Sequence, residues 1–120
     1  MTIENETCSF KYAKKLKELG VKQESLYYWA RGDVYIAVAF YDSHNPLDKN
    51  QYSAFTVAEL GVMLKIAYVS IKGALGEYYI TANGSLFISN KEADARAQAL
   101  IWLIENKHLN IEDINDHRIP

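Results

Sequence analysis

The pattern of apolar and polar positions predicts both strands and helices. Short runs rich in β-branched and aromatic residues predict four strands, at residues 34–41, 66–72, 77–82 and 85–89. The last two strands flank Asn83-Gly84, a strong hairpin signal because a type I′ turn needs positive φ at both central positions. This turn predicts a register that places Ile80 opposite Phe87 and Tyr79 opposite Ile88.

Apolar residues recur at helical spacing in other segments, which predicts helices at residues 10–19, 22–30, 57–64 and 89–109. Gly20 stands where a glycine commonly follows the last residue of a helix. The third helix opens with the capping box Thr56-Val57-Ala58-Glu59 and is apolar enough to be largely buried. The segment Ser89-Asn90-Lys91-Glu92 has the same capping form at the start of the last helix.

These elements predict one α+β domain spanning residues 1–120. A small antiparallel sheet of three to four strands is expected to pack against an N-terminal helix pair and a long C-terminal helix. The polar segments 1–7 and 110–120 are predicted to be flexible. Residues 42–53 read as a long polar loop, a kind of segment that often carries function.

Tyrosine is unusually frequent in this chain, with nine residues against four phenylalanines and two tryptophans. It suits recognition because it offers a large rigid ring and a hydroxyl group at low entropic cost. The candidate residues for binding a ligand or partner are Tyr27, Tyr28, Tyr41, Tyr52 and Tyr78. The alternative interpretation is that these tyrosines form the amphipathic rim of a small core.

Trp102 is a further candidate because it lies off the main apolar stripe of the last predicted helix. That helix therefore has two apolar faces. Either both faces pack within the domain, or Trp102 contacts a partner chain, which would make a homodimer plausible.

Charge and motifs argue against several function classes. The formal net charge is −2, without the basic excess of a typical duplex-binding domain. Cys8 is the only cysteine, and the three histidines show no metal-ligand spacing. The sequence has no nucleotide-binding or catalytic-serine motif, no export signal and no apolar run long enough for a membrane span. We therefore expect a cytoplasmic, non-enzymatic protein without a metal or cofactor.

The first two predicted helices offer an alternative function, because they meet at Gly20 with the apolar corner residues of a helix-turn-helix. In a DNA-binding regulator, the second helix would face the major groove. The residues presented to the DNA would be Lys22, Gln23, Ser25, Tyr27 and Tyr28. The helix carries Glu24 as well and lacks the arginine that dominates base recognition, so the pattern is weak evidence for DNA.

Three blocks of the chain resemble an uncharacterised family of small proteins encoded in phages and prophages of bacteria. They cover under half of the chain, in the same order: YAKKLKELGVKQESLYYW at 12–29, YSAFTVAELGVML at 52–64 and KEADARAQALIWLIENK at 91–107. The resemblance implies an accessory protein of a phage or prophage, and it implies no activity or functional residue. The sequence therefore favours a non-catalytic protein that binds a host protein or a small molecule.

Overall fold

The structure is a computed structural model that describes residues 3–30, 33–36, 51–64 and 68–116. Its helices are α1 (Ile3–Glu6), α2 (Phe10–Glu18), α3 (Val57–Met63), α4 (Glu92–Glu105) and α5 (Ile111–Asp116). Its strands are β1 (Tyr27–Ala30), β2 (Asp33–Ile36), β3 (Tyr52–Ser53), β4 (Tyr68–Lys72), β5 (Tyr78–Ala82) and β6 (Ser85–Ser89). The α+β class predicted from the sequence is confirmed.

The strands form two antiparallel sheets rather than the single sheet that was predicted. One sheet has the order β2-β1-β3 and the other has the order β4-β5-β6. The predicted hairpin is confirmed, since Asn83 and Gly84 have φ values of 50° and 80°. Its register is also the predicted one, with Ile80 opposite Phe87 and Tyr79 opposite Ile88. The predicted strand 34–41 is represented by β2, and its residues 37–41 lie outside the described part of the chain.

The predicted second helix at residues 22–30 is wrong, because Tyr27–Ala30 forms strand β1 between β2 and β3. Aromatic side chains favour a pleated, half-buried surface, and here two neighbouring strands supply the backbone partners. The preceding segment is held by long-range bonds: Ser53 N–H donates to Gln23 Oε1 at 2.7 Å, and Leu26 N–H donates to Glu59 Oε2 at 3.1 Å. The N-terminal helix pair and the helix-turn-helix at 10–30 are therefore absent.

Two predicted helix starts have different outcomes. At α3 the capping box is formed, since Glu59 N–H donates to Thr56 Oγ1 and Thr56 N–H donates to Glu59 Oε1. The predicted box at residues 89–92 is wrong, because α4 begins at Glu92 after Lys91, with no side-chain cap.

Both predicted flexible ends contain helices in their described parts. Helix α5 docks on the turn after α2: Asn115 donates to Gly20 O at 3.0 Å and accepts from Lys22 N–H at 2.8 Å. Ile114 on α5 is fully buried. Helix α1 leads into Thr7, also fully buried, which bridges Thr56. The described parts of both ends therefore contact residues that are distant in the sequence, while the predicted flexibility of these ends stays a prediction.

Helix α4 forms the centre of the core and contacts α2, α3, β5 and β6. Alanines at positions 93, 95, 97 and 99 are fully buried, so these neighbours approach α4 closely on more than one side. Residues on both apolar faces of the last helix thus pack within the domain, and contact of Trp102 with a partner chain stays a prediction. The largest fully buried side chains around it include Leu16, Phe55, Leu60, Met63, Ile80, Leu100, Leu103 and Ile114. Among the described residues, no helix is long and apolar enough to cross a membrane.

Candidate interaction surfaces

The structure separates the residues that the sequence singled out for binding. Tyr27, Tyr28 and Tyr52 lie on the β2-β1-β3 sheet, whereas Tyr78 lies on β5 and Trp102 on α4. Tyr41 lies outside the described residues. The described tyrosines of the set therefore lie on two different sheets, and their role in binding stays a prediction.

Burial divides the remaining candidates further. Tyr28 is only 9% exposed, while Tyr27, Tyr52 and Tyr78 are half-buried. Trp102 is also half-buried; its ring lies 5.9 Å from that of Phe87 and stacks on His108 at 5.2 Å. Tyr28 is thus packed within its own chain, and only parts of the other four side chains are open to a partner.

One group of aromatic rings does meet at the surface, where α2 crosses β1 and β3. The Phe10 ring packs edge-on against Tyr52, with centroids 5.2 Å apart, and against Trp29, at 6.2 Å. Trp29 and Tyr52 are directly opposite each other in the sheet, and Trp29 Nε1–H donates to Cys8 O at 2.9 Å. Phe10 is 43% exposed, so this cluster opens to solvent.

One lysine contacts these rings, and a second lies on the same side of α2. The Lys17 Nζ donates to Gln51 O at 2.8 Å and lies 4.8 Å from the centroid of the Tyr52 ring. Lys14, four residues after Phe10, shares the same side of α2 and is exposed. We call Phe10, Lys14, Lys17, Trp29 and Tyr52 the aromatic–lysine surface. Phe10 was not among the residues predicted from the sequence, although its helical spacing from Lys14 and Lys17 was a readable signal.

A second surface is the outer face of the β4-β5-β6 sheet, opposite α4. Pairing places Ile71, Tyr79 and Ile88 in one row across the three strands, and Leu86 beside Thr81 in the next row. Ile71, Leu86 and Ile88 are 56%, 55% and 48% exposed. We call these five residues the outer face. Because side chains alternate along a strand, the outer face lies on the side of the sheet opposite the buried Ile80.

The outer face carries a carboxylate at one end. The Tyr79 hydroxyl donates to Glu77 Oε1 at 3.0 Å, and this hydrogen bond raises the pKa of Tyr79. Gly73 makes room for the pair, because a Cβ at Gly73 would lie only 2.7 Å from Tyr79 Cε2. An otherwise uncharged row of side chains therefore ends at a single negative charge.

No family model, curated protein or solved structure matches the chain. Within residues 3–30, 33–36, 51–64 and 68–116, no group of three or more histidine, cysteine, aspartate or glutamate residues is placed to hold a metal ion.

A polar cluster joins the start of α2 to α4 and has a structural explanation. Asp94, only 7% exposed, accepts from Ser9 N–H and from Ser9 Oγ, both at 2.6 Å. Lys91 Nζ donates to Ser9 Oγ at 3.3 Å. Ser9 is the N-cap of α2, so the carboxylate satisfies a backbone donor at a helix end.

Cys8, beside this cluster, is expected to be chemically inert in the folded protein. Burial raises the pKa of Cys8 to about 12, and the side chain is fully buried. Since the thiolate is the reactive form, native protein at pH 8 should not react with Ellman's reagent on the timescale on which a free thiol does. The same sample in denaturant should release one thiol equivalent. Rapid labelling of native protein would contradict this assignment.

Proposed function

We propose that this protein is a non-catalytic binding protein of a phage or prophage, and that it takes a helix of a partner protein on its outer face. The exposure of Ile71, Leu86 and Ile88 in register with Tyr79 carries the proposal. Contiguous exposed apolar side chains on a soluble domain mark interaction sites, because exposing them to water costs free energy that a partner recovers.

The dimensions of the outer face favour a single helix as the partner element. Three strands of five residues present a face of roughly 14 Å by 17 Å at ordinary strand spacings. A helix with its side chains is about 10–12 Å across, so two to three turns fill this face. A stable interface between two globular surfaces buries about 800 Å² on each side, which is much larger.

Charge adds a requirement to the partner helix. The rows of the outer face are uncharged, and Glu77 stands at one end. An apolar helix face with a lysine or arginine at the matching end would complement it, because a carboxylate that loses solvent needs a cationic partner. Catalysis has no part in this proposal.

Immobilised protein incubated with a bacterial lysate tests the proposal when it is combined with matched variants. The double variant Ile71→Ser with Ile88→Ser replaces two of the three exposed apolar side chains of the outer face. Val62→Ser changes a residue that is 44% exposed on α3. We expect a bacterial protein to be retained by the parent chain and by Val62→Ser, and to be lost with the double variant. Hydrogen exchange with that protein in purified form should then show protection of β4–β6.

Equal retention by all three chains, or no retention by any, would refute the proposal. Light scattering provides the second check. If the parent chain is a dimer and the double variant a monomer, the outer face serves self-association rather than a partner helix.

A further inference from the structure

The aromatic–lysine surface lies on the most basic segment of an otherwise acidic chain. Residues 10–23 contain five lysines and a single glutamate, although the whole chain has a net charge of −2. The acidic excess therefore lies elsewhere in the sequence. A local field around α2 can attract an anion that the net charge of the chain would not.

Helix geometry assigns the lysines of α2 to different sides. At about 100° per residue, Lys14 and Lys17 lie within about 40° of Phe10, while Lys15 lies about 140° away. The contacts agree, because Lys17 reaches Gln51 and the Tyr52 ring, whereas Lys15 Nζ pairs with Glu105 Oε2 at 3.1 Å. Lys14 and Lys17, on the side of α2 that carries Phe10, are thus distinct from Lys15, which pairs with α4.

We propose that the aromatic–lysine surface binds single-stranded nucleic acid. Its parts match the two recognition elements of such sites, since an aromatic ring accepts a base by stacking and lysines neutralise the adjacent phosphates. Phe10 is the exposed ring of the cluster, supported edge-on by Trp29 and Tyr52. This site is separate from the outer face, and its ligand is of another class.

Two other anionic partners match the surface less well. Duplex DNA hides its base faces and is read by an element that enters a groove, but residues 27–30 form a sheet strand instead of a recognition helix. An acidic protein segment would pair with the lysines but would bring no planar group to the ring of Phe10. Stacking of a base on Phe10 is therefore the property that distinguishes single-stranded nucleic acid from other anions at this surface.

Fluorescence anisotropy with a labelled oligothymidylate of about twelve nucleotides measures the binding directly. With Lys14 and Lys17 each neutralising one phosphate, affinity should fall about sevenfold between 50 and 200 mM salt. Trp29 adds an intrinsic signal, because a base stacked on the cluster should quench its fluorescence. The variant Trp102→Phe isolates this signal from that of the second tryptophan.

Three substitutions separate stacking, local charge and general charge. Phe10→Ala should weaken binding by about fivefold or more, which is the lower end for loss of one stacked base. Lys14→Ala should roughly halve the slope of log affinity against log salt. Lys15→Ala removes the same charge from the other side of α2. Because both phosphate contacts would remain, affinity should change by less than about twofold. Phe10→Leu serves if thermal unfolding shows that Phe10→Ala is not folded.

Several results would overturn the proposal. These are no binding at 50 mM salt and about 100 μM protein, equal loss with Lys14→Ala and Lys15→Ala, or equal affinity for a duplex of the same length. Displacement of the oligonucleotide by polyglutamate at equal charge concentration would instead assign the surface to acidic protein segments.

Discussion

Replacing Phe55 with alanine is expected to lower the free energy of unfolding by about 3–5 kcal/mol. Phe55 is one of the largest fully buried side chains and belongs to the cluster that surrounds α4. Its removal loses the transfer free energy of the ring and leaves a cavity that the packed helices fill only in part. The midpoint of thermal unfolding should fall by roughly 10–20 °C, as measured by circular dichroism or calorimetry.

The matched control for this prediction is Leu75→Ala. Leu75 is 92% exposed in the turn between β4 and β5, so its truncation should change stability by less than about 0.5 kcal/mol. Because a domain of this size has only about 5–15 kcal/mol of stability, Phe55→Leu extends the series if the alanine variant does not fold. A loss below about 1 kcal/mol for Phe55→Ala would contradict the core described above.

Replacing Asp94 with alanine is the second change with a large expected effect, about 2–4 kcal/mol. The carboxylate accepts both the backbone N–H and the hydroxyl of Ser9, and these bonds join the start of α2 to the first turn of α4. Hydrogen bonds to a charged acceptor contribute more than neutral ones, and alanine would leave the half-buried Ser9 donors without the acceptor that the buried Asp94 supplies.

Denaturant unfolding of Asp94→Ala, Asp94→Asn and Asp116→Ala measures this effect. Asparagine keeps one carbonyl acceptor, so the free energy of unfolding of Asp94→Asn should lie between that of the parent chain and that of Asp94→Ala. Asp116 is an exposed acidic residue at the end of α5, and its replacement should have an effect within about 0.5 kcal/mol. Equal stabilities for the Asp94 and Asp116 variants would show that the junction contributes nothing measurable.

The two proposed binding surfaces lie on different elements and can be tested independently. The outer face is apolar and belongs to β4–β6, whereas the aromatic–lysine surface belongs to α2, β1 and β3. A variant at Ile71 and Ile88 should therefore leave oligonucleotide binding unchanged, and Phe10→Ala should leave protein capture unchanged. Binding of both ligands would indicate a protein that brings a partner protein to a nucleic acid strand.

Interactions between residues close in the chain determine the parts of the fold that were predicted correctly from the sequence. Thr56 and Glu59 cap α3 through bonds that span three residues, and Asn83-Gly84 sets the hairpin through its own backbone conformation. The resemblance to phage and prophage proteins, by contrast, stays a prediction. The tyrosine count indicated recognition, but it did not show which rings reach the surface.

Tertiary structure decided the rest, because the deciding partners are distant in the chain. Tyr27–Ala30 has a helical pattern of apolar residues, yet pairing with β2 and β3 makes it a strand. The second capping box is absent because α4 begins at Glu92, and in the first turn of that helix Asp94 binds Ser9, which lies 85 residues earlier. Phe10, Trp29 and Tyr52 likewise meet only after α2 packs on the sheet. The sequence by itself determined the cap of α3, the hairpin and the α+β class, since those depend on neighbours a few residues apart. The two sheets and both surfaces depend on long-range packing, which tertiary structure alone decided.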